Sequence, residues 1–123
     1  MRRDENALDV SSRDMALDCT PVKNRHVDQE RTAEGVMLIY PVEVKPWARR
    51  LMRLFGADDR PANKKLQLDP LGSQVWDLMD GEARVRDIAA RFAKSRKLHK
   101  KEAEVAVCQF LRDLGRRGIV AMK

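Results

Sequence analysis

The chain has 123 residues, with 25 Lys and Arg against 19 Asp and Glu and a net charge of +6; a chain of this length forms one domain whose core needs no disulfide. Cys19 and Cys108 lie far apart and offer neither a disulfide framework nor a paired metal-ligand spacing, and no run approaches the roughly 18 apolar residues that cross a bilayer. Those facts set aside a cysteine-stapled secreted domain, a zinc module and stable membrane insertion; with Met1-Arg2-Arg3 leading into Asp4 and Glu5, no secretory signal is expected and the reading is cytoplasmic.

Residues 1–23 are polar, and Leu8, Val10, Met15 and Leu17 are too scattered to define a buried face, so they read as a flexible arm with a local turn at Thr20-Pro21. Arg25 to Glu30 is expected to hold a short strand around Val27, and Glu34-Gly35 a turn. From Val36 the alternation of Val36, Leu38, Tyr40 and Val42 with Met37, Ile39, Pro41 and Glu43 predicts a strand covered on one face and partly on the other. An insertion over about 44–63 follows. In it, Pro46 opens a helix with Trp47, Leu51, Leu54 and Phe55 on one stripe, Arg49, Arg50 and Arg53 on the rest, and Gly56 as its stop.

Lys64 to Leu68 reads as a strand with Leu66 and Leu68 on one side. Asp69 and Pro70 are the cap and first residue of a helix whose expected stripe is Leu71, Val75, Leu78 and Met79, with Trp76 at its border and Gly81 at its end. A second helix is expected over Arg86 to about Lys94, burying Val85, Ile88, Ala89 and Phe92. The third is expected over Lys101 to Arg116 with Ala103, Val107, Phe110, Leu111 and Leu114 inward and Cys108 a buried, inert thiol. Ile119 to Met122 closes the chain as a short extended segment. The fold class read from these elements is α+β and winged-helix-like, with an inserted amphipathic helix.

Catalytic chemistry finds little to stand on. His26 and His99 are the two imidazoles, and no phosphate-cradling glycine loop or nucleophile elbow occurs; Asp69 is more simply a cap, and Asp77 and Asp80 fit the solvated side and end of a helix. The reading is a non-enzyme without cofactor or metal. Charge is unevenly spread: residues 1–34 hold six bases and eight acids, residues 64–123 fourteen and eight. The run Arg91, Lys94, Arg96, Lys97, Lys100 and Lys101 spans the loop between the second and third helices, where a winged-helix protein would meet nucleic-acid phosphates. Glu102 and Glu104 at the start of the third helix oppose that approach, so nucleic-acid binding stands as the alternative. For Trp76 the two readings are a flank of the core and an aromatic anchor in a peptide groove; for the Trp47 helix they are a membrane-surface helix, a docking helix and a lid.

Gly35-Val36-Met37-Leu38-Ile39, Leu66 through Gly81, Val85-Arg86-Asp87-Ile88-Ala89 and Phe110 through Val120 together resemble the PqqD family, proteins of pyrroloquinoline quinone synthesis and, more widely, peptide-recognition domains of ribosomally made, modified peptides. The likeness runs from about Asn24 to Met122, interrupted by the insertion, within a domain taken as residues 24–123. It implies a three-stranded antiparallel sheet packed on three helices, and a noncatalytic chaperone whose third sheet strand gains the leader of a precursor peptide as an extra strand, flanked by the third helix, and which presents that peptide to a radical S-adenosylmethionine enzyme. Those positions fall on Lys65 to Leu68 and on Ala103 to Leu114. The physics of an open strand edge agrees, since main-chain groups bind an extended peptide while neighbouring side chains set its register. The candidate peptide-binding residues are therefore Lys65, Leu66, Gln67, Leu68, Trp76, Val107, Leu111, Arg112 and Leu114, with Arg112 and the bases of residues 94–101 favouring an acidic leader. An open edge also leaves room for a homodimer.

Overall fold

The structure is a computed structural model that describes residues 13–42, 46–56 and 63–123. In chain order its elements are α1 (helical at residues 13–17), β1 (Pro21–Lys23), β2 (Asp28–Thr32), β3 (Gly35–Pro41), α2 (Pro46–Leu54), β4 (Asn63–Gln67), α3 (Pro70–Leu78), α4 (Val85–Arg96), α5 (Lys100–Arg116) and β5 (Val120–Met122). The architecture is α+β, with an antiparallel sheet in the order β2-β3-β4 and a second, two-stranded sheet of β1 and β5. Residues 43–45 and 57–62, on either side of α2, lie outside the described residues, as do residues 1–12.

β3 follows its alternation: Val36, Leu38 and Tyr40 turn into the core, and Met37 and Ile39 are half-buried on the outer face. β2 begins three residues later than its own composition suggests, at Asp28, with Val27 half-buried before it. No apolar residue marks this strand, because its register comes from the hairpin that pairs Thr32 with Gly35 and Asp28 with Ile39. Its inward residues are polar and find polar partners on α3. Arg31 donates two hydrogen bonds to Asp77, at 2.7 and 3.0 Å, and Gln29 Oε1 accepts from Trp76 Nε1 at 2.7 Å.

α3 is capped as its sequence dictates, the Asp69 carboxylate accepting from the Gly72 N–H at 2.6 Å with Pro70 at the first turn. Its buried face differs from the expected stripe. Gly72, Ser73, Val75 and Trp76 face inward and Met79 is buried just beyond, whereas Leu71 is exposed. The rotation has a steric cause: the helix approaches β3 and α5 through its smallest residues. The Ser73 Oγ accepts from the Val36 N–H at 2.8 Å. Gly35 (φ +142°) has no Cβ that would overlap Ser73 Oγ and stand 2.9 Å from the Leu68 carbonyl.

α4 and α5 bury the residues expected of them, Val85, Ile88, Ala89 and Phe92 on one and Ala103, Val107, Leu111 and Leu114 on the other. Phe110 is the exception, half-buried at the rim of the core. Cys108 is buried, and that burial pushes its thiol pKa up. Before β2, Leu17 enters the core and Pro21–Lys23 pairs with Val120–Met122, so the structure lays the latter part of the polar N-terminal stretch on the body. Thr20 and Lys123 exchange main-chain hydrogen bonds at 3.0 and 2.9 Å. A three-residue strand is too short to show alternation, and its partner lies at the other end of the chain.

Removing the Ser73 hydroxyl leaves the Val36 N–H buried without a partner, which costs about 1–3 kcal/mol. Ser73→Ala should lower the urea midpoint by a matching amount, and an unchanged midpoint would show that the bond does not join α3 to the sheet. After α3, the Asp80 carboxylate accepts from the Ala83 and Glu82 N–H groups at 2.7 and 2.9 Å, which lowers its pKa from the usual 3.8. A carboxyl whose folded pKa is depressed stabilises the protein above its unfolded pKa and loses that contribution as pH falls through the folded value. On acidification from about pH 7 to about pH 2.5, wild type should therefore lose more stability than Asp80→Asn; equal losses in the two proteins would refute this.

Candidate functional site

β4 is an edge strand, and among the described residues it pairs with β3 alone. The Leu68 N–H donates to the Val36 carbonyl at 2.8 Å. In an antiparallel ladder bonding toward one neighbour alternates along the strand, so Leu66 and Lys64 also turn their main-chain groups to β3. Asn63, Lys65 and Gln67 turn theirs outward. The side chains follow the same alternation, with Leu66 and Lys64 on the α5 side of the sheet and Lys65 and Gln67 on the outer face.

Beside this edge runs a groove along α5. Its middle, about 270 Å³, is lined by Leu66, Gln67, Leu68 and Asp69 on the sheet side and by Phe110, Asp113, Leu114 and Arg117 on the helix side. Asp69 and Phe110 also line an apolar hollow of about 230 Å³ with Leu71, Gly72, Val75, Phe92, Leu98 and Ala106. Gly72 makes the junction: a Cβ there would stand 3.0 Å from the Phe110 ring, so a larger residue would push Phe110 off the α3 cap. At the other end Arg117 is shared with a larger hollow of about 540 Å³, bounded by Asn24, His26, Tyr40, Pro41, Val42, Lys64, Arg116 and Gly118. Ala106 to Arg117 spans about 16 Å of helix.

The expected peptide-binding residues fall into two sets. Lys65 and Gln67 are exposed, Leu66 is half-buried, and Leu68 and Leu114 form the groove's buried floor, while Arg112 is exposed but lines neither the groove nor the hollows at its ends. Val107, Leu111 and Trp76 point into the core instead. Trp76 is closed in on both of its polar aspects: its indole N–H is held by Gln29, and Lys23 Nζ lies 4.4 Å from the ring centroid. Burial lowers the Lys23 pKa, partly offset by Asp77. The Gln67 side chain is also engaged, donating to the Leu68 carbonyl at 3.0 Å and accepting from the Thr32 hydroxyl at 3.2 Å, so its main chain is what it offers at the edge.

Sequence reasoning missed Ala106, Phe110, Asp113 and Arg117 as groove residues. Their spacing of four, three and four places them on one helix face, beside the core stripe. That signal gains meaning only once β4 is known to face them. The six bases Arg91, Lys94, Arg96, Lys97, Lys100 and Lys101 are all exposed, spread over the second half of α4, its C-cap and the start of α5, where Lys101 lies about 22 Å along the helix from Arg116. They are interspersed with carboxylates: Lys94 and Lys100 border a hollow with Asp87 and Glu104, and Lys101 one with Glu102. Arg96 donates to Gln74 at 2.6 Å.

α2 buries none of its side chains, and Trp47, Leu51, Leu54 and Phe55 are 67, 49, 80 and 81 % exposed, so this apolar stripe does not lie over the body as a lid. Among the described residues no helix is long and apolar enough to cross a membrane, and no group of three or more His, Cys, Asp or Glu side chains could hold a metal ion.

Comparison with curated proteins and with solved structures finds no match. A family model does match, that of Coenzyme PQQ synthesis protein D (PqqD), over residues 47–120. The matched span takes in α2, β4, the three core helices and the start of β5, and thus both walls of the groove. The chain belongs to the PqqD family.

Proposed function

We propose that this protein is a noncatalytic peptide-binding chaperone, which takes up a segment of a precursor or leader peptide as a fourth strand on β4 and presents it to a modifying enzyme of the radical S-adenosylmethionine type. The observation that carries this reading is the juxtaposition of main-chain groups on β4 that have no partner among the described residues with a groove along α5. Main-chain hydrogen bonds supply affinity in such strand addition, and alternate side chains entering a groove supply selectivity. The dimensions agree: five extended residues cover about 17 Å, close to the length of α5 between Ala106 and Arg117. Membership of a family named for coenzyme PQQ synthesis supports a role in making that quinone cofactor.

A test follows from the ladder parity. Lys65→Pro removes an N–H that points away from β3, a substitution edge strands tolerate, while the bonds of Lys64, Leu66 and Leu68 to β3 remain. With ¹⁵N-labelled full chain and short peptides encoded beside its gene, a binding peptide should shift amides at residues 63–67 and 106–117. Lys65→Pro should weaken that binding about tenfold or more, the loss of main-chain hydrogen bonding, with an unchanged circular dichroism spectrum. Equal affinity for wild type and variant would rule out strand addition at β4. Shifts confined to residues 91–101 on adding duplex DNA, fading steeply with salt, would replace the peptide reading with nucleic-acid binding.

A further inference from the structure

The hollow at the sheet end of the groove is built from four separate parts of the chain: Asn24 and His26 after β1, Tyr40 to Val42 at the end of β3, Lys64 on β4, and Arg116 to Gly118 at the end of α5. It gathers the positive charges of Lys64, Arg116 and Arg117, and among the described residues no carboxylate lines it. Basic residues at a helix C-terminus ordinarily complement the carbonyl end of the helix. Here main-chain donors already meet that need: Arg117, Gly118 and Ile119 donate to the carbonyls of Asp113, Gly115 and Leu114, and the Asn24 side-chain amide closes the turn by donating to the Gly118 carbonyl. Lys64 comes from the sheet and has no helix end to serve. Arg117 is fixed by donating to the hydroxyl of Tyr40 at 2.9 Å. Tyr40 is only 5 % exposed, and its own O–H proton is left to donate into the hollow.

Resting on the strand-addition reading above, we propose that this hollow binds a carboxylate of the docked peptide, so that the preferred ligand carries an apolar residue followed two positions later by Asp or Glu. The spacing follows from the register. A peptide that continues the antiparallel order of the sheet places one residue opposite Leu66, entering the groove beside Phe110. The residue two further on lies opposite Lys64 and enters the basic hollow. Arg116, whose contact with Asp113 is a loose 3.9 Å, is free to turn toward it. The acidic preference thus comes from the sheet end of α5 and not from the basic run at its start.

The test is selection of a random twelve-residue peptide library on phage with the full chain, followed by calorimetry on the enriched peptides with capped ends. The selected sequences should share the apolar-x-acidic spacing. Changing that Glu to Gln should weaken binding about three- to tenfold, the range of a partly exposed charge-assisted contact, and the Lys64→Met, Arg116→Gln double variant should erase the difference. Both substituted side chains are exposed, and an unchanged melting midpoint would separate recognition from stability. Enriched peptides that bind on β4 with equal affinity as Glu and Gln forms would overturn the carboxylate site and leave strand addition standing. Failure to enrich any peptide would overturn both.

Discussion

The hydrogen bond from the Val36 N–H to the Ser73 hydroxyl is the contact on which the site's geometry rests. It is buried, it joins the first turn of α3 to the first residues of β3, and it requires a residue without a side chain at Gly35, where the chain turns from β2. The Val36 carbonyl, on the same side of β3, accepts from Leu68 as the chain leaves β4. One residue thereby holds a helix through its N–H and a strand end through its carbonyl, and sets which residues of β4 bond inward. The outward direction of the Lys65 and Gln67 main-chain groups is a consequence of that register, not of any property of lysine or glutamine.

The second wall depends in the same way on a small residue. Gly72 lets α3 approach Phe110 so closely that the Asp69 cap, the ring and the apolar hollow beyond it form one surface. A groove built this way separates two kinds of recognition. In the proposed strand addition, the main-chain groups of β4 that have no partner among the described residues would bind any extended backbone, while the apolar hollow at one end and the basic one at the other would distinguish side chains.

Polar residues on the inner side of β2 serve stability. Gln29 satisfies the indole N–H of Trp76, the largest side chain fully buried, which would otherwise carry an uncompensated desolvation cost in the core. Arg31 and Asp77 form a two-bond pair at the surface, where solvent screening leaves it a small net contribution. The exposed strand is thus held to α3 by one part-buried and one solvated polar contact where an ordinary sheet would use apolar packing.

Elements with strong local chemistry are legible in the residues themselves: the Asp69-Pro70 helix start, the alternation of Val36, Leu38 and Tyr40, and the inner stripes of α4 and α5. Each is decided within a few residues by capping, pleat or helical period, and the α+β class follows from their order. Tertiary structure alone decided the rest, because the deciding partners are distant in the chain. The strand of Pro21–Lys23 exists through residues 120–122, and β2 takes its register from β3. Trp76 lies in the core and not in the groove because the small face of α3, Gly72 and Ser73, is the one that packs closest. Phe110 goes the other way, from expected core to groove wall. Periodicity assigns a residue to a helix face, but whether that face meets core, groove or water depends on what the fold brings opposite it.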